Sequence, residues 1–435
     1  MTTFDMIVPV LQEVLGSCMP VELQAFAPLI VNRDLNGRVR LVVPAEVSQQ
    51  SAAREVLEKV AETLSQRLGC HAFPAGQMVL YEEDMAAVRR GTQPMPLPGV
   101  NGIELIDRLA SEGQWARIAP LSPGAPRVVF FSIKGGVGRS TAMAVAAWSL
   151  AQEGKRVMVL DLDLESPGLS SSLLPESRRP AYGITDWLVE DLVDNGQSVF
   201  ADLVATSTLS HDGQILVVPA HGADPGEYIA KLGRVWMPKI APTGRRETWS
   251  QRLGRLLDEL ERRWQPDVVL IDSRSGIDEV ASSCVTDLGA TLVLLFALDG
   301  EQTWNGYRLM LDHWHRAGVA HEIRERLQLV GAMIPELGAP DYLTALREHG
   351  WDLFSEQLYD EVPPGRTGEG LWNFDDRDEA APHHPWPIRW NRGFAALTSL
   401  HSHLETLDEA LVKSTFGPLL DGVRLAVMSP EHANE

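Results

Sequence analysis

Cysteine is scarce. Cys18, Cys70 and Cys284 are the three in 435 residues. They are far apart and odd in number, and no C-x-x-C pair occurs, so neither a disulfide framework nor a zinc knuckle is indicated. Long apolar runs are also missing: Thr291 to Leu298 is typical of the longest, far short of the ~20 residues that cross a bilayer. The N-terminus, MTTFDMIVPV, has neither a basic start nor a signal-type core. A cytoplasmic, reduced protein without a membrane is expected. Positive charge is short too, with 38 Lys+Arg against 59 Asp+Glu and a net charge of −21. No dense Lys/Arg run breaks that average. Nucleic-acid binding rests on neutralising phosphates, and anionic membranes attract polybasic segments, so the balance argues against both partners.

What is present is an ordinary globular balance, 44% hydrophobic and 22% charged. The length allows two or three domains. Residues 1–91 read as a small α+β domain. Phe4, Ile7, Val8, Leu11, Val14 and Leu15 share a helix face. Leu29–Val31 and Val39–Val43 flank an Asn36-Gly37 turn as a hairpin. Val56, Leu57, Val60, Ala61, Leu64 and Leu68 line a second helix, and Met78–Tyr81 is a third strand. No catalytic constellation lies there, so by elimination it is a partner-binding or regulatory module. Residues 92–126 read as a Pro/Gly-rich linker containing a helix over Ile103–Trp115. Glu361–Asn391, rich in Pro, Gly, acid and Trp, reads as a functional flap or mobile loop. Phe394, Leu397, Leu400, Leu404, Leu407 and Leu411 read as a closing helix, and 428–435 as a loose tail. The pairs His313/His315, His383/His384 and His401/His403 lack partners at ligand spacing, which argues against a metal site built on them.

The chemistry concentrates in Val128–Gly168. An apolar run enters the turn Lys134-Gly135-Gly136-Val137-Gly138, Arg139-Ser140-Thr141 opens a run of helix formers, and a second apolar run carries Asp161 and Asp163. Glycines let successive N–H groups converge on an anion, and a helix N-terminus adds its positive end. A cation beside such a loop reaches terminal phosphates, and the hydroxyl of Ser140 can ligate Mg²⁺. This is a nucleotide-phosphate site. It is not the ordinary G-x-x-x-x-G-K-[ST] loop, because Ile133 stands at the first glycine and Arg139 at the lysine. A second acidic strand end follows in Pro266–Gly276, PDVVLIDSRSG, where four apolar residues precede Asp272 as in a Walker-B strand. Continuous apolar runs at Val128–Ile133, Val157–Leu162, Ile215–Pro219, Val268–Ile271, Thr291–Ala297 and Leu327–Ile334 alternate with helical stretches. The expected fold is therefore α/β, a doubly wound and mostly parallel sheet, preceded by the small α+β domain.

The string KGG-x-G-[basic]-[ST]-T, with DLDLESPG and DSRSG, resembles the deviant-Walker P-loop ATPases of the ParA/MinD type, over about Arg127–Val427 within a domain of 127–427. The resemblance implies a MinD-like fold binding ATP and Mg²⁺. It implies a homodimer enclosing nucleotide, with Lys134 reaching the partner copy's nucleotide. Gly135, Gly136, Val137, Gly138, Arg139, Ser140, Thr141 and Gly276 would contact nucleotide. Ser140, Asp163 and Asp272 would hold the metal, with Asp163 also orienting or deprotonating the attacking water. Asp161 reads as structural, and adenine over guanine follows from the family alone. Six tyrosines, none clustered at the C-terminus, count against the related tyrosine kinases. Acid after the last helix counts against membrane cycling.

Arg139 is the departure. Arginine keeps the charge but is larger and planar, so binding survives the change more surely than fast hydrolysis. The implied function is a slow ATPase switch coupled to a protein partner through the N-terminal domain. The KGGVGR side branch adds an association with defence or stress cassettes. The alternatives are a nucleotide-locked scaffold without turnover and a phosphotransferase acting on a small metabolite. Arg274 is open between phosphate sensing, a dimer contact and a surface salt bridge.

Overall fold

The structure, a computed structural model, describes residues 2–18, 23, 26–90, 92, 94–109, 115–210, 212–240, 244–363, 370–394, 400–405 and 408–428. The chain divides into two compact units, 1–116 with 314–319, and 117–313 with 320–435.

In the first unit, strands β1 (Leu29–Arg33), β2 (Val39–Pro44), β3 (Val79–Glu82), β4 (Met95–Pro96) and β5 (Ile103–Asp107) form one sheet in the order β3-β2-β1-β5-β4. Helices Ile7–Cys18 and Ser51–Leu68 cover one face, where Leu29, Val31, Val39, Leu41, Val43, Ile103 and Leu105 meet Leu11, Leu57 and Leu64. The helix–hairpin–helix–strand order agrees with the sequence. The helix expected over Ile103–Trp115 does not form at Ile103–Asp107, which pairs in parallel with β1 inside the sheet. In I-E-L-I-D, Ile103 and Leu105 face the two helices while Ile106 packs on the opposite face. A short apolar run buried on both faces is indistinguishable from a helix segment by periodicity alone. Residues 110–114 lie outside the described residues.

The second unit holds β6 (Arg127–Ser132), β7 (Arg156–Asp161), β8 (Ala205–Thr206), β9 (Gln214–Val218), β12 (Val268–Asp272), β13 (Leu292–Ala297), β14 (Leu327–Ile334) and β15 (Trp386–Arg389), with a small ribbon of β10 (Lys239–Ile240) and β11 (Arg246–Glu247). The large sheet runs β15-β14-β13-β6-β12-β7-β9-β8, parallel throughout except for the β8–β9 edge. Every residue of β6, β12 and β13 is buried, as expected for strands covered on both faces. Helix Arg139–Gln152 lies on one face. Its run Ala142–Ala147 is fully buried, and its alanines let it pack closely between the sheet and the helix Glu409–Met428.

Two expectations are corrected. Within Glu361–Asn391, Trp372, Phe374 and the stretch 381–388 are packed, while 361–363 and most of 370–380 are exposed. Tyr359 gathers the rings of Trp372, Phe374 and His383, and its hydroxyl lies 2.5 Å from His383 Nδ1. The segment then adds β15 to the sheet edge, the one place where a strand tolerates Pro387. Residues 364–369 lie outside the described residues. The closing helix is broken into Leu400–Leu404 and Glu409–Met428. Asp408 starts the second piece by accepting the Ala410 N–H at 2.9 Å, a local bond that competes with helix continuation. Leu397, Leu407 and 429–435 lie outside the described residues, as do the side chains of Cys18 and His403.

Candidate nucleotide-binding site

The site lies where β6, β7 and β12 end. After Ser132 the chain leaves β6 through Ile133 and curls. Gly136 and Gly138 have φ of +73° and +79°, which L side chains rarely adopt. Buried Val137 anchors the loop. Helix Arg139–Gln152 starts directly after Gly138. Among the described residues, the backbone N–H groups of 135–141 donate to no protein acceptor. A curled loop of free donors opening into a helix N-terminus is a built anion cradle.

Asp272, the last residue of β12, is 1% exposed. Its Oδ1 accepts from Arg139 Nε at 2.7 Å and its Oδ2 from Ser140 Oγ at 2.7 Å. Arg139, itself 7% exposed, also donates from Nη1 to Ser132 Oγ at 3.0 Å, and its Nη2 lies 3.5 Å from Asp163 Oδ2. The guanidinium at the unusual loop position is thus spent on two acidic strand ends. Asp161 is fully buried opposite Asp272 in the β7–β12 register. Two residues on, Asp163 is half-buried. Burial pushes its carboxyl up from the ordinary range, Asp272 adds to the rise, and Arg139 opposes it.

The loop after β12 folds back on β6. Gly276 takes φ +96°, and its N–H donates to Ser132 O at 2.9 Å. Arg274 forms ion pairs with Glu165 at 2.5 Å and Asp278 at 3.1 Å, so it ties the loop after β7 to the loop after β12. Lys134 is exposed and, among the described residues, makes no ion pair. Ser140, Asp163 and Asp272 supply hard oxygen atoms, the chemistry Mg²⁺ prefers, so cradle and donor set fit a magnesium nucleotide.

The structure therefore gathers Arg139, Ser140, Asp163 and Asp272 beside the Gly135–Gly138 loop, while Lys134 is exposed and, among the described residues, forms no ion pair with that cluster. Several participants escape a reading of the sequence. Ser132 looks like any strand residue. Tyr228, from helix Tyr228–Val235, donates from its hydroxyl to Leu164 O at 2.6 Å, a contact made across 64 residues. Met333 adopts φ +51° at a bulge in β14, next to Gly138. The Glu165–Arg274 pair alone had a signal, opposite charges in the two acidic motifs.

Residues 126–188 match the ParA family model, described as NUBPL iron-transfer P-loop NTPase. The bovine (Bos taurus) cytosolic Fe-S cluster assembly factor NUBP2 is 39% identical over 72 residues, 17% of this chain. The chain spans 26% of the length of that relative. Among solved structures, pNOB8 ParA bound to nonspecific DNA is similar at 15% identity and a TM-score of 0.43, covering 70% of this chain and 98% of that one. MinD of Aquifex aeolicus is similar at 14% identity and a TM-score of 0.42, covering 69% and 97%. MinD of Pyrococcus horikoshii complexed with Mg-ADP is similar at 16% identity and a TM-score of 0.40, covering 69% and 96%.

Proposed function

We propose, for a chain that is a P-loop NTPase of the ParA/MinD type, a Mg·ATP-dependent switch in which two copies enclose nucleotide and slow hydrolysis resets them. The observation that carries this reading is the convergence of Ser140, Arg139, Asp163 and Asp272 on one loop. Bound Mg²⁺ supplies neutralisation of the phosphate oxygens and a template for in-line transfer. The chain supplies the rest. The free N–H groups of the loop and the helix N-terminus hold the phosphates. Ser140 Oγ and Asp272, 2.7 Å apart, hold the ion. Asp163, its carboxyl raised by burial, orients the attacking water and takes its proton. Lys134, exposed at the loop's start, reaches the second copy. The N-terminal unit couples the state to a protein partner, and a defence or stress cassette is the setting we assign.

Arg139 makes the switch slow. Cation and guanidinium compete for Asp272, so Arg139 must give up its 2.7 Å bond before it can turn to phosphate. The same bond favours a second reading, a scaffold that binds nucleotide and does not turn it over. Sedimentation with Mg²⁺ and a non-hydrolysable ATP analogue tests the switch. Wild type should dimerise with the analogue and not with ADP, and Lys134→Ala should bind nucleotide yet stay monomeric. A Lys134→Ala protein that dimerises like wild type overturns the role given to Lys134.

A further inference from the structure

The face of the N-terminal sheet turned away from its two long helices is only partly covered. Ile30, Val42 and Ile106 are buried there under Leu80, Met85 and Val88, largely by the short helix Met85–Arg89. Beyond that helix the face opens into a cavity of about 410 Å³, lined by Asn32, Arg40, Phe73, Leu80 and Arg108 and also by the carboxylates Asp34 and Glu82. That is within the range of small-molecule sites.

Strand register gathers Asn32, Arg40 and Arg108 at one end. Asn32 of β1 lies opposite Arg40 of β2 on one side and opposite Ile106 of β5 on the other. Arg108 follows β5 directly and donates from Nε to Asn32 Oδ1 at 3.0 Å. Its other donors go to the carbonyls of Val88 and Arg90 and to the Thr92 hydroxyl. Every one of these partners is neutral. Among the described residues Arg108 is a half-buried cation without a counter-charge, and burial holds its proton affinity down. Arg40 is half-buried as well. Its guanidinium carbon lies 3.7 Å from the centre of the Phe73 ring, and among the described residues it has no ion pair or hydrogen bond.

The lining also holds two carboxylates, Asp34 and Glu82, and among the described residues neither forms an ion pair with Arg40 or Arg108. Asp34 is taken by Arg38, with an ion pair at 3.0 Å and the Arg38 N–H at 2.8 Å. Glu82 of β3 pairs in register with Pro44, four residues along β2 from Arg40 and so roughly 13 Å away. Two guanidinium groups that, among the described residues, pair with neither lining carboxylate, one of them fixed on an aromatic ring, therefore stand beside the apolar lining of Val42, Leu80 and Val88, in a chain of net charge −21. Leaving such cations half-desolvated is costly unless an anion joins them, and planar guanidinium forks match carboxylate and phosphate oxygens bidentately.

We propose that this cavity is a binding site for a small organic anion. Its carboxylate or phosphate head sits between Arg40 and Arg108, and its apolar body lies on Val42, Leu80 and Val88. The site belongs to the N-terminal unit and is independent of the nucleotide reading.

Calorimetric titration of the full chain, kept in saturating Mg·ADP so that the phosphate loop is filled, tests it with hexanoate, hexyl phosphate and hexanol. At least one anion should bind, hexanol should not, and whichever anion binds tighter identifies the head group. Arg40→Gln should weaken the anion at least tenfold while leaving ADP affinity unchanged. Arg108→Lys, which keeps the charge and loses the fork, should weaken it less than Arg40→Gln does. Should Arg108→Lys fail to fold, Arg40→Gln decides alone, since among the described residues the Arg40 side chain makes no hydrogen bond. Absence of binding by both anions, equal binding of hexanol, or an Arg40→Gln protein with wild-type affinity each overturns the proposal.

Discussion

The Arg139–Asp272 ion pair at the heart of the nucleotide site is tested by Arg139→Met. Arg139 and Asp272 are 7% and 1% exposed, and their 2.7 Å bond is the principal counter-charge for a carboxylate that water does not reach. Removing one partner of a buried pair leaves the other uncompensated, at about 3–5 kcal/mol. The lost bond to Ser132 Oγ adds about 1 kcal/mol. For a unit of this size each kcal/mol lowers Tm by ~2 °C, so the variant should melt about 8–12 °C below wild type. The loss should shrink in Mg·ATP, because the ion takes over the charge on Asp272. Arg139→Met with Asp272→Leu should recover part of it, with a coupling energy of about 1–3 kcal/mol. Differential scanning fluorimetry of the four proteins, with and without Mg·ATP, reads both effects. A melting point within 2 °C of wild type, or single losses that simply add, would refute the reasoning.

Other parts of the second unit give independent tests. Burial raises the Asp287 carboxyl to about 6 from a usual 3.8, so the native state binds a proton the unfolded chain has released. Its stabilisation is complete below about pH 4 and is lost as pH rises through about 6, up to about 3 kcal/mol in all. Asp287→Asn should flatten urea-denaturation midpoints between pH 4 and 7, and an unchanged slope contradicts the assignment. Asp191 accepts from Arg252 at 2.8 Å, Arg255 at 2.9 Å and Lys239 at 3.1 Å, and Arg252 is fully buried. Asp191→Ala should cost about 3–5 kcal/mol in the same assay, and a cost below 1 kcal/mol would show the hub to be dispensable. A Cβ on Gly306 would lie 2.3 Å from Ile133 Cγ2, just before Lys134. Gly306→Ala should therefore cost about 1–3 kcal/mol and weaken nucleotide binding, and adding Ile133→Ala should restore both. No rescue would mean that the glycine acts elsewhere.

The sequence made the phosphate loop, the two acidic strand ends and the parallel sheet legible, because each is written locally. Glycines mark the curl, and continuous apolar runs mark strands buried on both faces. What it hid depends on long-range pairing. Ile103–Asp107 is a strand because β1 and β4 lie beside it, and Trp386–Arg389 is a strand because it ends a sheet, where proline does no harm. Arg139 shows the same division within the site. Its presence in the loop is plain from the sequence. Its engagement with Ser132, Asp163 and Asp272 needs three strand ends brought together. Asn32, Arg40 and Arg108 sit 8 to 76 positions apart, and only register aligns them.

Phosphate release from Mg·ATP, measured across a range of protein concentrations with Lys134→Ala and Asp163→Asn alongside, tests the switch most directly. Slow release should rise faster than linearly with wild-type concentration and collapse in both variants. Release strictly proportional to concentration and unchanged in Asp163→Asn would contradict the switch.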